Sequence, residues 1–399
     1  MEKEKILIPK HFNFNIAKKS CFDHNESILT KVVYKMFKNK SIKKALIILL
    51  FLLYIGNLFA AGKKDDSTPV SNPESRSELL LGTVCKITIY DNPSDSAFEA
   101  SFKRIEEIEQ QMSLTISESD LSQINKNAGL AETLVPEDTL NVIQKAIEIA
   151  LVSDGAFDPS IGPLVSAWGI GTDTPRVPSQ TEILQLLPLI NYKDIRLDTN
   201  SSSVFLEKEG MILDLGGIAK GYAADEVRTT LLNKGVKSAL INLGGNILTV
   251  GTKPDGSLWR IGIQDPAEDR GAYVMILSIE DTAIVTSGPY ERFFTVGENS
   301  YHHILDTENG YPVKSDLESI SIISRNSFVA DALSTAVYSL GLEAGMNLIE
   351  KMDSIEAVAI TYNKEIILSS GFLSGKIQYD LTDNDFSIIP LEEYLKSQQ

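Results

Sequence analysis

Residues 211–251 constrain this chain more than any other stretch, because two glycine pairs cut them into pieces of fixed kind. MILDLGGIAKGYAADEV runs from a short apolar strand through Gly216 and Gly217 into a helix with Ala223, Val227 and Leu231 on one side, and Gly235 can end that helix. ALINLGGNILTVG then reads as strand, double-glycine turn, strand. The flanking sequence keeps the same mixture. Cys85, Ile87 and Ile89 alternate with polar neighbours as a half-buried strand, and Phe98, Phe102, Ile105, Ile108 and Met112 recur at helical steps, with Ser96 and Glu99 suited to a capping box. A second helix carries Leu140, Ile143, Ile147 and Ala150, with Gly155 beyond its end. Strand-rich sequence fills 259–324, a helix follows in SFVADALSTAVYSLG, and the tail closes with a helix around Met346 and a hairpin about Asn363 and Lys364. Strands and helices in this order, without strict alternation, predict an α+β fold of mixed sheets with flanking helices.

The 399-residue chain is 43% hydrophobic, ample for a large domain, and the folded part is expected over 79–390. Lys43 and Lys44 precede an apolar run over 45–61 that ends in small residues, the layout of a signal peptide. A start at Met36 makes that signal conventional, and an uncleaved anchor is the alternative, since the run nears the ~20 residues that span a bilayer. Residues 1–62 are therefore read as a leader or anchor, and 63–78, polar and rich in Pro and Ser, as a flexible tether. The expected location is exported: periplasmic, or at the outer face of an inner membrane. Beyond the leader, 26 Lys and Arg stand against 50 Asp and Glu, a net charge of −24. Bulk charge excludes a nucleic-acid partner, and any anionic ligand needs a local device to hold it. Cys85 alone can make neither an internal disulfide nor a cysteine zinc site.

Four segments could carry chemistry. In LDLGGIAKGYA, Asp214, the glycine turn and Lys220 at a helix start converge on a point where an anion could sit, although a turn chosen for tight packing accounts for the same residues. In VADALSTA, Asp331 and Thr335 are four apart on one helical face and offer oxygens to a hard cation such as Mg²⁺; a dipole-favoured Asp and a packed Thr are the plainer account. AFDPSIGPLVSAWG, residues 156–169, is apolar yet full of turn formers, and such a segment usually shapes a pocket. Finally YHHILDTENGYPV holds His302 and His303, the two histidines outside the leader, with His303 at a strand end beside Asp306 and a turn at Asn309 and Gly310. SGPYERFF adds Ser287, Tyr290 and Arg292 before a strand.

Taken in order, Met112-Ser113, AFDPSIGPL, LDLGGIAKGYAADEV, NLGGN, SGPYERFF, HHILDTENGYPV and ADALSTAVYSLG resemble the motif series of the ApbE family, the FAD:protein FMN transferases, over about residues 79–385. The resemblance implies two interleaved subdomains around a flavin cleft. It implies a Mg²⁺-dependent enzyme that splits FAD and attaches FMN through a phosphoester to a Thr or Ser of an exported target, such as a subunit of an Rnf-type or sodium-pumping quinone reductase complex, releasing AMP. Asp331 and Thr335 match the family's metal-binding side chains, and Gly217 stands where the family uses a backbone carbonyl. Asp214, Lys220, Met112, Ala156, Phe157, Asp158 and Ile304 match FAD-contacting positions. His303 matches the histidine thought to deprotonate the attacking hydroxyl, while His302 has no matched role and reads as a solvated neighbour. Thr307 and Asn309 depart from the family's pattern, so the turn is expected to differ in shape. An FAD pyrophosphatase releasing FMN and AMP, or a non-catalytic flavin-binding protein, are the alternatives.

Overall fold

The computed structural model describes residues 72–397, apart from Arg270 and Lys376; the leader and the first part of the tether lie outside them. Among the described residues the central feature is a nine-stranded sheet whose spatial order follows the chain. Its strands are β1 (Glu74–Leu80), β2 (Thr83–Ile89), β3 (Ala239–Leu243), β4 (Asn246–Val250), β5 (Ala283–Ser287), β6 (Leu317–Ser324), β7 (Ile355–Thr361), β8 (Glu365–Leu368) and β9 (Ser387–Pro390). Neighbours pair antiparallel except β8 and β9. Between β2 and β3 the chain inserts α1 (Asp95–Met112), α2 (Glu137–Val152), α3 (Gly162–Trp168) and α4 (Ala219–Asn233), together with a small sheet of Thr133–Leu134, Ile195–Asp198 and Ser203–Leu206. Between β6 and β7 it inserts α5 (Ser327–Leu340) and α6 (Leu342–Ile349).

Both faces of the large sheet are covered, and the sequence of β7 shows why its apolar run is unbroken. Ala357 and Ala359 belong to the cluster shared with the helices, whereas Val358 and Ile360 belong to a second cluster under the three-stranded sheet of Trp259–Gln264, Tyr273–Ile279 and Gln378–Leu381. A strand buried on both sides has no polar face to alternate with. A third cluster, with Leu164, Trp168, Ile183 and Leu305 at its centre, packs against Phe294 and Tyr301 of a two-stranded ribbon.

Three expectations change. β1 begins at Glu74, inside the segment read as tether, because an edge strand with the sequence ESRSELL has only one partner strand and keeps polar side chains toward water. Ser75 Oγ bonds Thr88 Oγ1 at 2.8 Å, and the Arg76 guanidinium lies 4.4 Å from the Phe98 ring centroid. Helix α1 is capped by Ser94, whose side chain accepts from Ala97 N, rather than by Ser96. Residues 211–215 form no strand beyond a single parallel bridge of Ile212 with Ile161, where Gly162 N donates to Ile212 O and Asp214 N to Pro159 O. Between these bonds Leu213 is held by the Asn125 side chain, which donates to its carbonyl at 3.0 Å and accepts from its N–H at 2.7 Å.

Candidate active site

The insert and the loop ends of the sheet face each other across a cleft of ≈ 260 Å³. Ten of the eleven residues singled out for a site line it: Ala156, Phe157, Asp158, Asp214, Gly217, Lys220, His303, Ile304, Asp331 and Thr335. Met112 does not; it is 5% exposed and packs into the main core at the end of α1.

One wall is made where α4 crosses α5. Gly221 permits the crossing: a Cβ there would stand 2.3 Å from Ser327 O and 2.6 Å from Asp331 Cβ. Glycine in a helix costs roughly 1 kcal/mol relative to alanine, and here the close approach offsets it. Asp331, 4% exposed, thereby reaches the start of α4, which has no side-chain cap of its own, and its Oδ2 accepts from Gly221 N at 2.8 Å. A carboxylate at that end of the helix also meets the positive end of the helix dipole. The other oxygen, Oδ1, lies 3.6 Å from Lys220 Nζ, which also donates to Gly216 O at 2.9 Å. The ammonium thus stands at the edge of a cluster of oxygens, and this cluster fits a hard cation: Asp331, the Thr335 hydroxyl and the backbone of Gly217, whose Cβ position is 3.5 Å from Thr335 Oγ1. No group of three or more His, Cys, Asp or Glu suited to a metal occurs among the described residues, and a cation at this cluster would have one carboxylate, with room for water and substrate phosphate.

Asp214 closes the turn on itself, accepting from Gly216 N at 2.7 Å. Burial holds its carboxyl above the usual carboxylate range, opposed by that hydrogen bond and by Lys220 and Arg292. Asp158 has both oxygens engaged inside the protein: Oδ1 accepts from Ser160 N and Oγ, and Oδ2 from Tyr192 N at 2.8 Å. It shapes the 156–161 turn, and Phe157 and Ala156 present apolar surface to the cleft beside it.

The opposite wall carries the histidines. The strand of the ribbon ends at His302, one residue before the expected position, and His303 turns into the cleft. Its N–H and its ring Nδ1 both meet Arg292 O, at 3.1 and 3.2 Å. A carbonyl accepts only, so Nδ1 carries the proton and Nε2 keeps the lone pair. Burial, together with Arg292, His302 and Lys220 nearby and against the hydrogen bond to Arg292 O, lowers its pKa to about 4, and the ring is neutral near pH 7. His302 is no solvated neighbour. Its Nε2–H donates to Val313 O at 2.9 Å, its Nδ1 accepts from Ile304 N at 3.3 Å, and its ring stands edge-on to Tyr338. The turn that follows is closed by Asp306, which accepts from Glu308 N and Asn309 N, and Thr307 Oγ1 ties it to Gly155 O at 2.9 Å.

Sequence reasoning had not placed Thr83, Gly244, Gly245, Asn246, Thr286 or Glu291 in this cleft. NLGGN was visible as a turn between two strands, and the cleft lining shows that this turn faces the site.

Comparison with known proteins agrees with this geometry. The model of the ApbE family matches residues 81–359. An FAD:protein FMN transferase of Klebsiella pneumoniae (strain 342) is 36% identical over 315 residues, covering 79% of this chain and 96% of the relative. One of Treponema pallidum (strain Nichols) is 33% identical, covering 75% and 87%. Among solved structures, the ApbE protein of Thermotoga maritima superposes with a TM-score of 0.70 at 31% identity over 76% of this chain and 99% of that one. The flavin transferase ApbE of Vibrio cholerae gives 0.68 at 28% identity with the same coverage. With a family model spanning most of the folded part and relatives of this likeness over nearly their whole length, the chain belongs to the ApbE family.

Proposed function

We propose that this chain is an FAD:protein FMN transferase that moves FMN from FAD onto a Thr or Ser hydroxyl of an exported protein and releases AMP. The relatives' names support the transferase reading, and the observation that carries the chemistry is the placement of a neutral His303, lone pair on Nε2, in the same cleft as Asp331, Thr335 and Lys220.

In the proposed reaction the acceptor hydroxyl oxygen attacks the phosphorus on the FMN side of the pyrophosphate. The bond to the bridging oxygen breaks, AMP departs with the electron pair, and the hydroxyl proton passes to His303 Nε2. A base with a pKa of about 4 is weak for this task, but the negative pyrophosphate beside the ring favours its protonated form and raises its basicity. Asp331, Thr335 and the Gly217 carbonyl would hold Mg²⁺, which when bound neutralises charge on the pyrophosphate. Lys220 adds a second positive charge on the same side, and it overcomes locally a field that is repulsive to anions overall. Phe157, Ala156 and Ile304 line the cleft with apolar surface and keep water from the attacking position. Since the cleft is smaller than the ~300–1,000 Å³ of ordinary ligand pockets, FAD extends past its rim and the acceptor meets a partly exposed phosphate.

Incubation with FAD, Mg²⁺ and a peptide carrying the short acidic-glycine-threonine motif that the family resemblance implies for its acceptors tests this. Flavin fluorescence that stays with the peptide under denaturing conditions is expected. Free FMN and AMP without labelled peptide would make it a pyrophosphatase, and unchanged FAD would sink both. The exported location is proposed on the leader sequence alone; cell fractionation with the intact gene product checks it.

A further inference from the structure

The ribbon that ends in the histidine pair has an edge with nothing on it. Its strands, Phe293–Val296 and Asn299–His302, pair only with each other among the described residues. Gly297, at φ +62°, takes the first central position of a two-residue turn, which makes Val296 and Asn299 a hydrogen-bonded pair. Such pairs alternate along an antiparallel ladder, so Phe294 with Tyr301 and Arg292 with His303 follow, as the 3.1 Å bond from His303 N to Arg292 O bears out. The N–H and C=O groups of Phe293 and Thr295 therefore point away from the partner strand.

The two edges are not equivalent. On the second strand, the His302 ring is bonded to Val313, and the continuing chain pairs with 311–313 through Val313 N to Ile304 O and Asp306 N to Tyr311 O. Along the first strand Phe293 is 55% exposed and Thr295 is exposed too, although Phe294 beside them packs on Trp168. A bare edge with an exposed aromatic is a template for another chain. Its root is Arg292, which lines the cleft and whose carbonyl holds His303.

We propose that the outer edge of Phe293–Val296 receives an extended segment of the flavin-accepting protein as a third strand, with the acceptor hydroxyl one or two residues beyond the position opposite Phe293. At ~3.3 Å per residue, that step carries the hydroxyl from the root of the ribbon over the mouth of the cleft. Backbone pairing gives affinity with little demand on side chains, and Phe293 supplies an apolar contact. The proposal rests on His303 as the base that takes the acceptor proton. It commits to the acceptor protein, rather than to a second copy, because the free edge leads to the reacting atoms and ends there.

The test uses a synthetic 14-residue peptide with a single Thr in the acidic-glycine-threonine context, saturating FAD and Mg²⁺, and covalent flavin as readout. Thr295→Pro removes an outward N–H that no ladder bond uses, so the ribbon keeps its own pairing. It is expected to raise KM for the peptide roughly five- to ten-fold, the loss of about one backbone hydrogen bond and some pairing beyond it, while FAD affinity is kept. N-methylation of the peptide, scanned residue by residue against the unaltered enzyme, should weaken transfer at every second position on one side of the Thr. An unchanged KM in Thr295→Pro together with no two-residue period in the scan overturns the docking edge. An enzyme that binds FAD and labels no peptide overturns the transfer reading itself, and the edge falls with it.

Discussion

The two walls of the cleft are built by opposite means. Asp331 sits on α5 against α4, 4% exposed, and one of its oxygens serves as the missing cap of α4, so the group proposed to hold a cation also holds the fold. His303 stands at the root of a short ribbon, kept in place by one carbonyl, by the Trp168 cluster beneath and by the Thr307 bond to Gly155. On the first wall chemistry and stability share the same atoms. On the second they are divided between neighbours, with His303 facing the cleft and His302 fastening the chain.

The sharpest way to break this contrast is Asp331→Ala. Transfer should fall by on the order of 10³-fold or more, the scale of removing a group that stabilises transition-state charge. Stability should drop with it, by about 1–3 kcal/mol for the Gly221 N–H left without its partner. Single-turnover flavin transfer and thermal unfolding of the same preparation measure both; a loss of activity with unchanged Tm would separate the two roles that the structure joins. Next in size is His303→Ala. Turnover should fall by roughly 10²–10⁴-fold with FAD affinity little altered, because a general base is worth that much and the ring holds no structural bond beyond Arg292 O. Titration of FAD against the variant decides it, and a large loss of FAD binding would move His303 to the ligand side.

Gly221→Ala tests the first wall without touching a reacting group. The added methyl meets Ser327 O and Asp331 Cβ, and overpacking of this kind costs about 1–3 kcal/mol. Chemical denaturation should show the loss, and transfer should fall because α5 shifts Asp331 away from the glycine turn. An undisturbed variant would mean that the helices can part at no cost.

Much of this site was legible because its residues lie in short motifs whose local structure follows from their own sequence. The glycine turn before α4, the four-residue step from Asp331 to Thr335 and the turn after His303 each declare themselves, and the fold brings them to one cleft. What was hidden is tertiary. Gly221 looks like any small residue of AKGYAADEV until α5 is laid across it. Asn125 acts on Leu213 from 88 residues away, so 211–215 reads as a strand although its partners are one side chain and a single bridge with Ile161. β1 was lost to the tether because edge strands and linkers are both polar. Met112, with its helical spacing, is a core residue by position whatever motif it begins.

The smallest effect concerns the stability contribution of His302, which the sequence alone reads as a solvated neighbour. Its two ring bonds, Nε2–H to Val313 O and Nδ1 from Ile304 N–H, require the neutral ring, since a protonated Nδ1 would face another donor. Burial also lowers its pKa, against the hydrogen bond to Val313 O that favours the charged form. A histidine whose folded pKa lies below its unfolded value takes its proton first in the unfolded chain, so what it contributes is fully present above the ordinary value of 6.5 and is lost as pH falls through the lower folded one. His302→Ala should therefore cost about 1–2 kcal/mol at pH 8, two modest hydrogen bonds and some packing on Tyr338. The gap in Tm between variant and parent should narrow steadily as pH falls below 6.5, because the parent loses there what the variant never had. Taking the difference between the two proteins removes the burial part of the His303 titration, which both retain, and leaves only the smaller charge coupling between the two rings. A gap that stays constant from pH 8 to pH 5 would show that His302 holds the turn by packing alone, and the second wall would then be fastened by Trp168 and Thr307 without it.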